Sequence, residues 1–321
     1  MTDPRTIGSI ALLATSMLLA GSAVLPARSE STGSITLKQG DTKHAAAKPG
    51  AAPHCNPAAF RMVLDVGHVE EVNWGAISAR GAHEFDFNLR LAKVIQKDLT
   101  SAGFAKVTLQ VIKDHRHRAL FTRAKKANKI PADLFLSIHH DSVPDSFLEK
   151  WEYEGEEHGY SDRFHGHSIF VSINNGNYQG SLQFAQMLGN QMKAHGLKYT
   201  SHYTDKIMGD RQRILVDPEA GVYRYDQLIV LKDTKMPAAL LEAGSIINRD
   251  EELELASPER QGLISASVVD AAKQFCAARG KPAAPALTPA AAPKSTEPAA
   301  PKAAAPGAKA RSSLPWPFSH Q

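Results

Sequence analysis

Three histidines and one glutamate are the residues of this chain best suited to catalysis or metal binding. His68, His139, His140 and Glu242 each stand at the end of a short apolar run. Imidazole nitrogens and carboxylate oxygens are the ligands that Zn²⁺ takes in hydrolases, where three protein ligands leave one position for water. A nearby carboxylate can then take a proton from the attacking water. These residue types indicate a zinc hydrolase, without the compact HExxH helix of some metalloproteases.

Alternating strand-like and helix-like segments must position these groups. The predicted strands are 61–66, 106–112, 133–138, 167–173, 227–231 and 238–243, and the predicted helices are 84–102, 118–130, 180–195 and a last one that begins at Pro258. Strands separated by helices predict an α/β domain with a mostly parallel sheet covered by helices on both faces. Sites in such sheets lie beyond the carboxyl ends of the strands, so the four polar groups are expected to converge there.

Four blocks of the sequence carry a resemblance to a known family. They are LDVGH (64–68), the acidic residue Glu84 at the start of a predicted helix, ANKIPADLFLSIHHDS (127–142) and ALLEAGSIIN (239–248). In this order they resemble the zinc-dependent N-acetylmuramoyl-L-alanine amidases of the Amidase_3 type, which are bacterial cell-wall hydrolases. The resemblance implies a single domain with a sheet of about six strands and one zinc ion. It also implies hydrolysis of the amide bond between N-acetylmuramic acid and the L-alanine of the stem peptide.

The resemblance also implies a role for particular residues. His68, Glu84 and His139 match the three zinc ligands of the family. Glu242 matches the catalytic carboxylate, which acts as general base while the zinc-bound water attacks the amide. His140 stands where the family usually has a small residue, so it is expected to be a neighbour of the site and not a ligand.

The first block departs from the family pattern and leaves alternatives open. The family usually has DPGHGG where this chain has DVGHVEE, which places Glu71 three residues after His68. Zinc carboxypeptidases use that spacing for two ligands, so a zinc peptidase with His68, Glu71 and His139 as ligands is one alternative. A wall-binding module that has lost catalysis is another, and such a module would have no need of Glu242.

A segment between the third and fourth predicted strands looks like additional material. Residues 143–166 contain Trp151, His158 and several glutamates. The segment is expected to be a lid, a substrate-selecting loop or a plug over the zinc.

Composition predicts extensions at both ends of the catalytic part. Residues 1–27 read as a signal peptide, with an uncleaved anchor as the alternative, and 28–58 as a linker before a catalytic domain at 59–279. Residues 280–321 hold nine of the nineteen prolines and are expected to be a disordered tail. The protein is therefore expected to be periplasmic or secreted, with no membrane span after signal cleavage.

Charge and cysteine placement add two further expectations. The tail carries five basic residues against Glu297, which accounts for the whole net charge of +4 and removes the case for a nucleic-acid partner. The expected partners are the peptidoglycan substrate and an activator protein. Cys55 and Cys276 bracket the catalytic part, and in an exported protein such a pair favours one disulfide over two free thiols.

Overall fold

A computed structural model describes residues 55–69, 74–113 and 116–279, with only the backbone described for 116–118. The predicted signal peptide, most of the predicted linker, the predicted tail and Glu71 lie outside these residues. No helix among the described residues is both long enough and apolar enough to cross a membrane.

The described residues form nine strands, six α-helices and three short 3₁₀ helices. The strands are β1 (Arg61–Val66), β2 (Lys106–Gln110), β3 (Leu134–Asp141), β4 (Glu149–Tyr153), β5 (Glu156–Tyr160), β6 (Ser168–Val171), β7 (Ile214–Asp217), β8 (Val222–Arg224) and β9 (Ala238–Ser245). The helices are α1 (Glu84–Ser101), α2 (Arg116–Ala127), α3 (Tyr178–Ala194), α4 (Ile229–Lys232), α5 (Arg249–Ala256) and α6 (Pro258–Arg279), and the 3₁₀ helices are Asp145–Phe147, His202–Thr204 and Lys206–Arg211.

Seven of the strands form one mixed sheet in the order β2-β1-β3-β9-β6-β8-β7. The strands β2, β1, β3 and β9 are parallel, whereas β6 runs antiparallel to β9 and β7 runs antiparallel to β8. The predicted α/β class with helices on both faces is confirmed. The sheet has seven strands where about six were expected, because the short strands β7 and β8, which lie at one end of the sheet, carry no strong hydrophobic alternation.

Both faces of the central strands are buried. All eight residues of β3 and all eight of β9 are buried, as expected for parallel strands covered on both sides. Leu134, Leu136 and Ile138 belong to the core under α1, α3 and α6, whereas Phe135 belongs to the core under α2 and α4. Alternate side chains of β3 therefore pack into two separate cores on opposite faces of the sheet. His139 lies on the same face as Phe135.

Two strand predictions need correction. Residues 227–231 were expected to be a strand, but the chain forms the short helix α4 at Ile229–Lys232. An apolar run of this length has no periodicity that separates a strand from one buried helical turn. The strand β3 also runs on through Asp141 instead of stopping at Ile138, so His139 and His140 lie inside a strand and not after it.

The additional segment forms an antiparallel hairpin from β4 and β5. The indole Nε1 of Trp151 donates a hydrogen bond of 2.7 Å to the carbonyl oxygen of Ala79, and the guanidinium of Arg80 lies over the Trp151 ring at 5.3 Å. The ring of His158 lies so close to Gly81 that an added Cβ would be 2.7 Å from it. The hairpin is therefore anchored to the loop that leads into α1.

The predicted disulfide between Cys55 and Cys276 is confirmed, with the two Cα atoms 5.1 Å apart. It joins the first described residue to α6. The neighbouring Phe275 contacts the rings of Phe60 and Phe184, so the bridge lies beside the aromatic part of the larger core.

Candidate metal centre

The strand β1 delivers His68 to the carboxyl edge of the sheet. The amide of Gly67 still donates to the carbonyl of Ile138 at 2.9 Å, so the chain leaves the sheet at His68 itself. His68 has a φ of 66°, a left-handed conformation that is uncommon for a residue with a side chain. Such strained residues cluster at functional sites, because the surrounding structure must hold them.

Glu84 begins α1 and faces both predicted histidine ligands. Its Oε2 lies 2.7 Å from Nε2 of His68, and its Oε1 lies 3.0 Å from Nδ1 of His139. The amide of Ala76 donates to Oε2 at 3.1 Å, which fixes the carboxylate against the loop before the helix. Gly75 makes this approach possible, because a Cβ there would be 2.5 Å from Glu84 Oε2 and 2.6 Å from His68 Cδ2.

The three side chains form a cluster that could hold a metal ion. One donor atom from each of His68, Glu84 and His139 lies within 4.8 Å of the other two. His68 follows the end of β1, as the strand-end rule predicts, whereas His139 lies within β3. Glu84 begins a helix, and only the family resemblance pointed to it. Two imidazoles and a carboxylate are a ligand set that zinc hydrolases use.

Burial and charge set the protonation of this cluster. Burial alone would raise the pKa of Glu84, but the charges of His68 and His139 and their hydrogen bonds hold it well below its ordinary value. Burial lowers the pKa of His139 to about 4. Glu84 is therefore ionised and His139 neutral near pH 7, which are the forms that bind a metal.

Asn88 and His140 surround the cluster on the side of α1. The side-chain amide of Asn88 donates to Oε1 of Glu84 at 3.1 Å, and its oxygen lies 2.7 Å from Nδ1 of His140. The backbone amide of His140 also donates to Glu84 Oε1, at 3.3 Å. His140 is thus outside the cluster of ligand atoms and helps to hold Glu84 in place.

A buried ion pair lies behind His139. Arg123 of α2 contacts both carboxylate oxygens of Asp65, and its Nη2 also lies 2.9 Å from Ser137 Oγ and 3.2 Å from Nε2 of His139. Arg123 is 2% exposed and Asp65 is fully buried. The sequence indicates that Arg123 pairs with a carboxylate but does not identify Asp65 as the partner, although the alternation of β1 and β3 places Asp65, Ser137 and His139 on one face.

Glu242 lies next to His139 in the sheet. The two residues are register partners on β3 and β9, so both side chains point to the same face. Burial raises the pKa of Glu242 well above its ordinary value, and the charges of Asp141 and Glu84 raise it further. Its Oε2 is buried and has no hydrogen-bond partner among the described residues.

The fold and the clustered side chains define an α/β protein with a group of His and Glu side chains that could hold a metal ion at the carboxyl edge of its sheet. The chain belongs to the N-acetylmuramoyl-L-alanine amidase family, whose profile matches residues 62–274. The predicted family is therefore confirmed.

The chain is also similar to individual proteins in sequence or in fold. The chain is 30% identical over 189 residues to an endolysin of Bacillus phage SPP1, a match that covers 59% of this chain and 55% of the endolysin. The chain thus spans about half the length of that relative. Its fold is similar to that of the amidase Ami1 of Mycobacterium smegmatis (TM-score 0.53, 18% identity, 70% of this chain and 99% of that one). It is also similar to an amidase of Clostridium difficile 630 (TM-score 0.51, 20% identity, 68% and 96%).

Proposed function

We propose that this protein hydrolyses the amide bond between N-acetylmuramic acid and L-alanine in peptidoglycan, with one zinc ion held by His68, Glu84 and His139. One observation supports this most strongly. Donor atoms of the three residues converge within 4.8 Å, although the residues are widely separated in the sequence. Family membership supports the bond that is cleaved.

The residues present fit zinc rather than a harder ion. Two imidazoles and one carboxylate suit zinc, whereas calcium and magnesium sites are built from oxygen ligands. Zinc held here would polarise the scissile carbonyl and acidify the attacking water. The buried Glu84 also gives the site one negative charge, which lowers the cost of holding a divalent cation away from solvent.

Glu242 is the general base in this proposal. Its raised pKa suits a group that must accept a proton near neutral pH and release it again. It takes a proton from the attacking water as the new carbon–oxygen bond forms. It then gives that proton to the alanine nitrogen as the carbon–nitrogen bond breaks, which leaves a lactyl carboxylate and a free amino terminus.

Buried neighbours keep the ligands in position. The pair of Arg123 and Asp65 restricts His139 from behind, and Asn88 restricts Glu84 through a hydrogen bond. Partners of this kind commonly contribute 10- to 100-fold to metal affinity in proteins.

We also propose the organisation of the whole chain that the sequence suggests. A signal peptide at 1–27 exports the protein, and the domain at 59–279 acts on the wall outside the cytoplasm, in the periplasm or after secretion. The tail at 280–321 and an activator protein contribute to targeting.

Measurement of bound zinc in single variants tests the ligand assignment. Glu84→Ala is expected to lose zinc, whereas Glu71→Ala is expected to keep it. Glu219→Ala is a suitable control, because Glu219 is an exposed residue paired with Lys193. Zinc loss in Glu71→Ala alone would contradict the proposal and favour the zinc peptidase.

Digestion of intact sacculi tests the reaction. The natural protein is expected to release stem peptides that begin with L-alanine, and Glu242→Gln to retain zinc but lose at least about 100-fold in rate. Binding to sacculi without any release would show a wall-binding module instead.

A further inference from the structure

A second group of buried polar side chains lies beside Glu242, on the same face of the sheet. Asp141 ends β3 two residues after His139, and its Oδ1 accepts hydrogen bonds of 2.8 Å from the Tyr203 hydroxyl and of 2.8 Å from the amide of Ser142. Tyr203 packs edge-on against Phe170 with ring centroids 5.1 Å apart. These two hydrogen bonds fix Oδ1 of Asp141, whereas Oδ2 accepts neither of them.

The second oxygen of Asp141 faces His202. The distance from Asp141 Oδ2 to His202 Nε2 is 3.7 Å, which is longer than a hydrogen bond. On the other side of the ring, Nδ1 lies 2.6 Å from the hydroxyl oxygen of Thr200. A ring nitrogen that faces a carboxyl oxygen favours carrying the proton, so Nε2 is a donor and Nδ1 accepts from Thr200.

Three polar atoms of this group have no hydrogen-bond partner among the described residues. They are Asp141 Oδ2, His202 Nε2 and Glu242 Oε2, and all three are buried. Buried polar atoms without partners are rare in folded proteins, because each costs the free energy of its lost hydration. The whole side chains of Asp141 and His202 are 6% and 7% exposed, similar to the 8% of Glu242 as a residue. Asp141 Oδ2 is thus an acceptor, and His202 Nε2 a donor, that could each form one more hydrogen bond near the proposed base.

We propose that Asp141 and His202 form a subsite that binds one polar group of the substrate next to the scissile bond. The proposal rests on the amidase function proposed above. A single substrate group that both donates and accepts a hydrogen bond would bridge Asp141 Oδ2 and His202 Nε2, since the two atoms are 3.7 Å apart. The subsite places the substrate against Glu242 and takes no part in proton transfer.

Two parts of the substrate offer such a group. One is the amide that follows L-alanine in the stem peptide, and the other is the hydroxyl and acetamido groups of the sugar. Burial lowers the pKa of His202 and so favours the neutral ring, whose Nε2–H can donate to a polar group of the substrate.

A pair of variants at His202 separates the proposed contact from a role in packing. His202→Asn keeps a polar group near the Thr200 hydroxyl but removes the donor at the Nε2 position. His202→Gln places an amide donor near the Nε2 position. His195→Asn is the matched control, because His195 lies at the surface opposite Asp270 of α6.

The kinetics of muramyl dipeptide hydrolysis test the proposed contact. His202→Asn raises KM about 3- to 10-fold with kcat unchanged, as for the loss of one hydrogen bond formed equally in ground and transition states. His202→Gln and His195→Asn remain within about 2-fold of the natural protein. A fall in kcat at constant KM, an equal loss in His202→Gln, or no change in His202→Asn would overturn the proposal.

Truncated substrates show which group is bound. N-acetylmuramoyl-L-alanine lacks the second peptide amide, and lactyl-L-alanyl-D-isoglutamine lacks the sugar. The KM difference between the natural protein and His202→Asn is expected to disappear with one of them. A difference that persists with both would overturn the proposal.

A binding measurement keeps this test separate from the proposed reaction. If the natural protein cleaves none of these substrates, the proposed function fails. Calorimetric affinity for muramyl dipeptide then decides on the subsite. An affinity that His202→Asn weakens and His202→Gln preserves supports the subsite, and equal affinities, or no binding, overturn it.

Discussion

Substitution of Gly75 by alanine tests whether the loop before α1 shapes the metal centre. Gly75 has a φ of +85°, and an added Cβ would lie 2.5 Å from Glu84 Oε2 and 2.6 Å from His68 Cδ2. Contacts under 3 Å force the neighbouring atoms to shift, and here both neighbours are proposed zinc ligands. The hairpin provides a matched control, because Gly155 has a φ of +84° and nothing within 4 Å of its added Cβ.

Both variants introduce backbone strain, but they differ in their expected effect on zinc affinity. A left-handed conformation costs alanine about 1–2 kcal/mol, so both variants are expected to lose about that much free energy of unfolding as metal-free proteins. Only Gly75→Ala displaces ligand atoms. Its zinc affinity is expected to fall about 10- to 100-fold, which corresponds to about 1.4–2.7 kcal/mol.

Chelator competition measures the zinc affinity, and urea unfolding of the metal-free proteins measures the shared strain. Gly155→Ala is expected to bind zinc as tightly as the natural protein. The reasoning is refuted if Gly75→Ala also binds zinc with unchanged affinity, or if Gly155→Ala loses affinity to the same degree.

Three further predictions concern stability. Reduction of the Cys55–Cys276 bridge, whose cysteines are 221 residues apart, is expected to lower the free energy of unfolding, measured with urea, by up to about 5 kcal/mol. The control is a variant with serine at both positions, whose stability the reductant is expected to leave unchanged. Burial lowers the pKa of His140 to about 3 in the folded protein. Below about pH 6.5 the unfolded state therefore binds more protons than the folded state, and the free energy of unfolding decreases as the pH is lowered. At pH 5 this loss is about 2 kcal/mol, and His140→Gln is expected to flatten the pH dependence; an unchanged slope would contradict it. Arg123→Met is expected to lower the free energy of unfolding by about 3–5 kcal/mol, because it leaves the charge of Asp65 buried and unpaired. Adding Asp65→Leu is expected to recover most of that loss. A mild effect of Arg123→Met alone would contradict this prediction.

The sequence predicts the cluster of His68, Glu84 and His139 better than its surroundings. The family resemblance names His68, Glu84 and His139 together, and the strand-end rule independently places the two histidines at one edge of the sheet. The fold class follows from the same alternation of strands and helices. These features depend on local patterns that a single sequence displays.

The remaining features depend on contacts between distant segments. The pairing of Asp65 with Arg123 joins β1 to α2, and the approach of His202 to Asp141 joins a 3₁₀ helix to the end of β3. No spacing in the sequence links these residues. The short helix α4 was predicted as a strand because tertiary packing decides the conformation of so short an apolar run.

The most direct test of the account is mass analysis of sacculi digested by the natural protein, by the chelated protein, and by the chelated protein after zinc is returned. The account predicts free stem peptides with L-alanine at the amino terminus in the first and third digests and none in the second. Release that survives complete chelation, or cleavage at a different bond, would contradict it.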